Sequence, residues 1–178
     1  MKNDLKQILL DQETIAKRVL ELGREIDRDY ADEPPVLVCI LKGSISFFAD
    51  LMRAISLPIQ IEFMSASSYY NATVSCGEVT IKNDLDDKIV GKRVLLVEDI
   101  VDSGRTLSAI KQDLLNKGAK SLKICTLLDK PYGRKTQIDV DYVGFTIPDE
   151  FVVGYGLDYA QKYRNLPYVG VLKPEIYK

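Results

Sequence analysis

Apolar runs that suit β-strands alternate along the chain with stretches whose apolar residues recur at helical spacing. The strand-like runs cover residues 36–41, 59–65, 94–97, 122–128 and 142–147, and their β-branched residues favour buried strands. Helices with one apolar face are predicted over three stretches, residues 12–30, 46–55 and 106–115. The alternation predicts an α/β protein with a mainly parallel central sheet flanked by helices.

One strand–turn–helix unit, residues 94–107, carries most of the candidate chemistry. Its sequence, VLLVEDIVDSGRTL, holds an apolar strand at 94–97, three carboxylates and a small-residue turn. We expect the turn over residues 102–106 and a helix that begins near Thr106. The first turn of a helix leaves backbone N–H groups unpaired at the positive end of its dipole, so this end suits a phosphate group.

Glu98 and Asp99 narrow the choice of ligand. Two carboxylates beside a phosphate loop repel a bare polyphosphate unless they face hydroxyls or a divalent cation. A sugar phosphate meets both conditions, with its monophosphate in the loop and its diol against the acids. The chain contains neither G-x-x-x-x-G-K-[ST] nor G-x-G-x-x-G. The alternative is a purely structural role, since acid pairs often end strands and Asp or Ser residues often cap helices in α/β proteins.

A second unit of the same kind follows the strand at residues 36–41. Lys42, Gly43 and Ser44 separate that strand from a helix, so the dipole argument allows a second anion site there. By pattern alone, Gly43 is explained as well by a tight turn.

Composition excludes several function classes. The 178 residues are 46% hydrophobic and 28% charged, with 24 basic and 26 acidic side chains and no histidine, which fits one globular domain spanning residues 1–178. The formal charge of −2 argues against a nucleic-acid or membrane partner. Three cysteines without C-x-x-C spacing argue against a zinc site, and we expect Cys39 and Cys125 to pack in the core. The absence of a signal-peptide pattern favours a cytoplasmic protein.

The string VLLVEDIVDSGRTL resembles the phosphoribosyl-pyrophosphate signature of the type I phosphoribosyltransferases, and EDIVDSG is similar to the form found in their hypoxanthine-guanine branch. Further motifs resemble the family in order from about residue 36 to residue 172. The resemblance implies a purine-salvage transferase that moves phosphoribosyl from phosphoribosyl pyrophosphate to hypoxanthine or guanine, forming IMP or GMP and pyrophosphate. It also implies Mg²⁺ as cofactor, a small hood over the base site, a mobile flap, and a homodimer or homotetramer.

The resemblance assigns the donor side residue by residue. Asp102 becomes the general base, and Glu98, Asp99 and Asp158 are associated with magnesium. The residues implied to hold the ribose, the 5′-phosphate and the pyrophosphate are Leu41, Lys42, Gly43, Ser44, Glu98, Asp99, Ser103, Gly104, Arg105, Thr106 and Arg164. In the family the Leu41–Lys42 peptide is often cis. For Asp158 and Arg164, solvated surface positions are the alternative.

On the base side, Lys130 in LLDKP matches the lysine that donates to the 6-oxo group of the purine. Phe151 is implied to stack on the purine, and Val152 to offer it backbone hydrogen bonds. A solvated turn residue is the alternative for Lys130, and core filling is the alternative for Phe151 and Val152.

The polar segment 66–79 resembles the catalytic flap and precedes a strand predicted at 80–85. Ser68 and Tyr69 match the Ser-Tyr pair of that flap, whereas Tyr70 departs from the expected glycine. Two other functions stay open: transfer to another base such as xanthine, and a phosphoribosyl-pyrophosphate-sensing regulator that binds RNA or DNA.

Overall fold

The computed structural model describes residues 1–68, 79–82 and 85–177, and its larger sheet has six strands among those residues. Their spatial order is β4-β3-β2-β5-β6-β7. The strands are β2 (Val36–Leu41), β3 (Gln60–Ser68), β4 (Val79–Lys82), β5 (Arg93–Val101), β6 (Ser121–Asp129) and β7 (Tyr142–Thr146). All neighbours pair in parallel except β4, which is antiparallel to β3. The predicted α/β class with a mainly parallel sheet is confirmed.

A smaller antiparallel sheet joins the two ends of the chain. It consists of β1 (Leu5–Leu10), β9 (Val169–Leu172) and β8 (Val152–Val153), in that order. The sequence pattern did not predict these strands, because Lys6 and Gln7 interrupt the apolar residues of β1, and β8 and β9 are only two and four residues long. Each of them is stabilised by a partner far away in the sequence, as in the pairing of Leu5 with Leu172.

The helices are α1 (Gln12–Asp29), α2 (Ile45–Ala54), α3 (Asp86–Ile89), α4 (Arg105–Asn116) and α5 (Pro174–Tyr177). Helix α1 begins where the Asp11 carboxylate accepts the Thr14 N–H at 2.8 Å, a side-chain N-cap. It packs so closely on α2 that a side chain at position 23 has no room: a β-carbon on Gly23 would lie 2.5 Å from the Ala54 carbonyl oxygen.

Both faces of the central sheet are buried. Leu95 and Val97 of β5 belong to the apolar cluster under α1 and α2, whereas Val94 and Leu96 face the cluster that α3 and α4 complete. This alternation explains why the strand sequence is apolar at successive positions. Cys39 and Cys125 are fully buried free thiols, as predicted.

Several predicted boundaries were inaccurate. Strand β4 ends at Lys82, and Leu85 lies just before α3. In α4, the apolar Leu115 is 36% exposed, because it lies next to the buried Leu114 and therefore about 100° round the helix. Tyr69, Tyr70 and Cys76 lie outside the described residues, as does most of the predicted flap. Among the described helices, none is long and apolar enough to cross a membrane.

Candidate active site

The candidate site lies at the carboxyl end of the central sheet, between β2 and β5. From these two neighbours the sheet continues in opposite directions, to β3 on one side and to β6 on the other. Such a switch in strand order leaves a crevice beyond the strand ends, where α/β proteins bind ligands. Pairing of β2 with β5 stops at Cys39–Val97, but β5 stays paired with β6 as far as Val101–Asp129.

This pairing corrects the prediction that the strand covers only residues 94–97. Glu98 and Asp99 lie inside β5 rather than after it. They continue as strand because β6 supplies hydrogen bonds on one side, while the loss of β2 on the other side opens the crevice.

Three segments of the chain line the crevice, which has a volume of about 370 Å³, within the range of small-molecule sites. The predicted site residues in its lining are Leu41, Lys42, Gly43, Glu98, Asp99, Asp102, Ser103, Gly104, Thr106, Asp158 and Arg164. Ser44 and Arg105 lie beside it. Of the expected flap pair, Ser68 ends β3, and Tyr69 lies outside the described residues.

The phosphate loop, residues 102–106, ends in an open helix N-terminus. Gly104 has a φ of +77°, a left-handed conformation that glycine adopts most easily, and α4 begins at Arg105, one residue before the predicted start. The Ser108 N–H is bonded to the Gly104 carbonyl at 3.0 Å, but no side chain of the described residues caps this end. Its first N–H groups are therefore available to an anion.

The acids of β5 form a half-buried pair, and the positive charge of Arg164 acts on Asp99. Glu98 Oε2 is buried and has no hydrogen-bond partner among the described residues, and Asp99 Oδ1 accepts the Ile100 N–H at 2.6 Å. Burial, and then the charge of Asp99, raise the pKa of Glu98 well above its ordinary value. Burial also raises the pKa of Asp99, although hydrogen bonds oppose the rise. Unsatisfied carboxylate oxygens of this kind fit ribose hydroxyls or Mg²⁺.

The loop after β2 presses against this acid pair. The Leu41–Lys42 peptide is cis, as the family resemblance implied. A β-carbon on Gly43 would overlap the Asp99 carboxylate, so only glycine fits between them. Ser44 is fully buried, and its hydroxyl donates to the Ile40 carbonyl. This hydrogen bond fixes the loop to the end of β2.

Asp158 and Arg164 approach the same loop from the other side. Their side chains form an ion pair at 2.8 Å, and each is 26% exposed. Arg164 also donates to the Gly156 carbonyl at 2.8 Å, and a β-carbon on Gly156 would overlap the Gly43 carbonyl oxygen. These fixed contacts exclude the alternative of freely solvated side chains.

The residues predicted for the base lie at the end of β6 and on the small sheet. Lys130 is only 8% exposed, with its Nζ 3.5 Å from Asp149 Oδ1, so it is not a solvated turn residue. Phe151 is 38% exposed, which argues against mere core filling. Its ring stacks on Tyr177 with centroids 4.6 Å apart and meets the edge of Tyr159 at 5.7 Å.

The backbone of Val152 is directed away from the small sheet. The Leu172 N–H donates to the Phe151 carbonyl at 2.8 Å, which makes Val152 and Val171 a pair without mutual hydrogen bonds. Because β8 is an edge strand, the N–H and C=O of Val152 are turned away from β9. They can therefore bind a ligand.

Sequence reasoning missed two residues that support this site, Gly156 and Tyr177. Gly156 has a φ of +104°, and its spacing from Gly154 in the string GYGLD was a usable signal. Nothing in the sequence around Tyr177 indicated that its ring would stack on Phe151.

Comparisons with known proteins agree with this geometry. The sequence model of one protein family, the phosphoribosyl transferase domain, matches residues 6–160 of this chain. The chain is 52% identical over its whole length to the hypoxanthine-guanine phosphoribosyltransferase of Bacillus subtilis, of which it covers 99%. It is 50% identical, over 99% of its length, to the bifunctional protein TilS/HprT of Listeria monocytogenes, of which it covers 27%.

Among solved structures, a crystal structure of a hypoxanthine phosphoribosyltransferase from Staphylococcus aureus matches with a TM-score of 0.95 and 52% identity. The match covers 100% of this chain and 97% of that one. The chain therefore belongs to the phosphoribosyltransferase family, in its hypoxanthine-guanine branch.

Proposed function

We infer that the chain transfers phosphoribosyl from phosphoribosyl pyrophosphate to hypoxanthine or guanine, forming IMP or GMP and pyrophosphate in purine salvage. The observation that carries this function is the acid pair of β5, with its buried and unpartnered Glu98 Oε2, beside the uncapped N-terminus of α4, in a chain 52% identical to a hypoxanthine-guanine phosphoribosyltransferase. A sugar phosphate meets the acids with its hydroxyls and the helix end with its phosphate.

We propose that the phosphate loop holds the 5′-phosphate and that Glu98 and Asp99 hold the ribose. Ser103, Gly104 and Thr106 line the crevice and would contribute backbone N–H groups and hydroxyls to the phosphate oxygens. Arg105, exposed at the first position of α4, would add a positive charge from the rim.

The pyrophosphate group would lie between the loop of residues 41–44 and Arg164. Lys42 is exposed in the crevice and Arg164 faces it from the opposite segment, so their positive charges flank the leaving group as the glycosidic bond breaks. Mg²⁺, when bound, supplies further positive charge for the leaving group. Glu98, Asp99 and Asp158 line the crevice and would hold it together with the phosphates of the substrate, since the described carboxylates form no metal-binding cluster of three by themselves. The unpartnered Glu98 Oε2 supports that proposal.

Asp102 would act as the general base toward the purine. Its carboxylate lies in the crevice lining, next to Gly133 in the segment that follows Lys130. There it would accept the proton of the five-membered ring while the ring nitrogen bonds to the ribose carbon, and return it in the reverse reaction.

Base selection would depend on Lys130, Phe151 and Val152. A lysine ammonium donates to the 6-oxo group of hypoxanthine or guanine and meets the 6-amino group of adenine unfavourably. The exposed ring of Phe151 would stack on the purine, and the outward-facing backbone of Val152 would bond its edge.

A steady-state assay with phosphoribosyl pyrophosphate, Mg²⁺ and a panel of bases tests this function. We expect turnover with hypoxanthine and guanine and none with adenine or pyrimidines. The same panel measures the rate with xanthine. Binding of phosphoribosyl pyrophosphate without turnover of any base would contradict the enzyme and favour a regulator.

We further propose that the chain acts as one cytoplasmic domain assembled into a homodimer or homotetramer, as the family resemblance implies. Analytical ultracentrifugation at the enzyme concentration of the assay distinguishes the two assemblies. A monomer that is fully active would contradict this proposal.

A further inference from the structure

We propose that Gly133 is a positioning residue that sets where the Asp102 carboxylate lies, and that the turn around it, residues 131–138, couples the base-selecting end of β6 to the phosphate loop. The proposal deepens the function above and rests on it, because it concerns the proton transfer assigned to Asp102. It follows from contacts that this turn makes with the phosphate loop.

Backbone hydrogen bonds join the turn to the loop. The N–H groups of Lys135 and Thr136 both donate to the Ser103 carbonyl at 3.0 Å. A β-carbon on Gly104 would lie 2.7 Å from the Thr136 carbonyl oxygen, so the two segments are in close contact. Just before the turn, the Lys130 N–H donates to the Val101 carbonyl at 2.9 Å, which ties the base-selecting residue to the residue before Asp102.

Gly133 touches the acid itself. A β-carbon on Gly133 would overlap Asp102 Oδ1 and lie 3.2 Å from its carboxyl carbon. Gly133 does not have a positive φ, so its backbone would accept another residue without strain. The carboxylate, not the turn geometry, is therefore what requires a glycine here.

The Arg134 side chain holds the turn in place through contacts with β6, residue 138 and the phosphate loop. Its guanidinium forms an ion pair with Asp129, the last residue of β6, and lies 3.4 Å from the Ile138 carbonyl. The stem of Arg134 also packs on Gly104, where a β-carbon would lie 3.1 Å from its Cδ. Because both ends of the turn are fixed in this way, the backbone of Gly133 cannot move away from Asp102 to make room for a side chain.

The fixed position of the Asp102 carboxylate matters for its role as a general base. A general base must lie within hydrogen-bond reach of the proton that it accepts, and a misplacement of about 1 Å can cost about 10²-fold in rate. A side chain at position 133 would make the Asp102 carboxylate rotate away. Because only the end of a flexible side chain has to move, the fold should be affected little.

The test is Gly133→Ala, with Tyr132→Ala in the same turn as the matched control because Tyr132 is 85% exposed. We expect Gly133→Ala to lower kcat about 10–100-fold while the KM for phosphoribosyl pyrophosphate and the melting temperature stay near those of the unsubstituted protein. Tyr132→Ala should match the unsubstituted protein in all three measurements.

A double-mutant cycle separates this role from a merely structural one. In the Asp102→Ala background the carboxylate is absent, so adding Gly133→Ala should cause no further loss in single-turnover rate. An undiminished kcat in Gly133→Ala, or an equal loss in both backgrounds, would overturn the proposal. Inactivity of the unsubstituted protein with every base would instead overturn the proposed function.

Discussion

The donor half and the acceptor half of the proposed active site are built in opposite ways. The donor half, which would hold the sugar and its phosphate, comes mainly from nine consecutive residues, 98–106, at the junction of β5 and α4. The acceptor half, which would hold the purine, combines Lys130 from the end of β6 with Phe151 and Val152 from the small sheet. Charge and backbone N–H groups can thus be supplied by one local unit, whereas a flat aromatic base needs surfaces from distant segments.

The two halves also differ before any ligand binds. The donor half contains a buried carboxylate oxygen without a partner, Glu98 Oε2, among the described residues. In the acceptor half, the side chains of Lys130 and Phe151 are paired already, Lys130 with Asp149 and Phe151 with Tyr177. The donor half should therefore gain stability from its ligand, while the acceptor half is organised in advance.

The largest expected effect concerns Asp102, which lies in the donor half and would accept the proton of the purine. Asp102→Asn should lower kcat about 10²–10⁴-fold, since the amide cannot accept a proton, while the KM for phosphoribosyl pyrophosphate changes little. Steady-state kinetics with hypoxanthine measures both constants. Normal turnover in this variant would remove the proton-transfer role from Asp102.

On the acceptor side, Lys130→Ala should raise the KM for hypoxanthine and guanine about 10–100-fold, as expected for loss of a hydrogen bond from a charged donor, worth about 1.5–3 kcal/mol. The KM for phosphoribosyl pyrophosphate should stay the same, because the Lys130 side chain lies outside the donor half and its backbone bond to Val101 is kept in the variant. Lys17→Ala, an exposed lysine on α1, is the control. An unchanged base preference would place oxopurine selection elsewhere.

The stability of the donor half should depend on pH when no ligand is bound. Because the pKa values of Glu98 and Asp99 are raised in the folded protein, their contribution is most favourable below the ordinary carboxyl pKa of about 4 and is lost as pH rises through the raised values. Glu98→Gln should therefore stabilise the Mg²⁺-free protein at pH 7 by about 1–3 kcal/mol. Urea unfolding at pH 4.5 and pH 7 measures this.

The gain from Glu98→Gln should shrink at the lower pH, where the native Glu98 is more often protonated. The same variant should lose affinity for phosphoribosyl pyrophosphate, measured by calorimetry with Mg²⁺. A Glu98→Gln protein that is less stable at pH 7 would show that the acid is satisfied without ligand, contrary to the contrast between the halves.

The smallest expected effect concerns Tyr177, whose ring stacks on Phe151. Tyr177→Ala should raise the KM for the base about 2–10-fold, since an aromatic pair contributes about 0.5–1.5 kcal/mol, and Tyr177→Phe should restore it. A lower KM for the base in Tyr177→Ala would mean that this ring covers the face of Phe151 that the purine needs.

The sequence predicted the features that have a local pattern and missed those that depend on distant segments. The strand at Val36–Leu41 was predicted with its exact bounds and α4 with an error of one residue at its start, because a strand buried on both faces and a helix with one apolar face carry local patterns. The cis peptide at Leu41–Lys42 was expected from the resemblance alone. The continuation of β5 through Glu98 and Asp99 was missed, because it depends on β6 and not on local apolarity.

By itself, the sequence determined the α/β class, the small-residue turn between β5 and α4 and the acids beside it, since periodicity, turn residues and charge are properties of neighbouring positions. Only the tertiary structure decided the small sheet, the stack of Tyr177 on Phe151, and the contact of Gly133 with Asp102. These features join residues that are 17 to 167 positions apart or depend on one missing β-carbon. Such contacts form only when distant segments bury their surfaces together, and no local pattern encodes them.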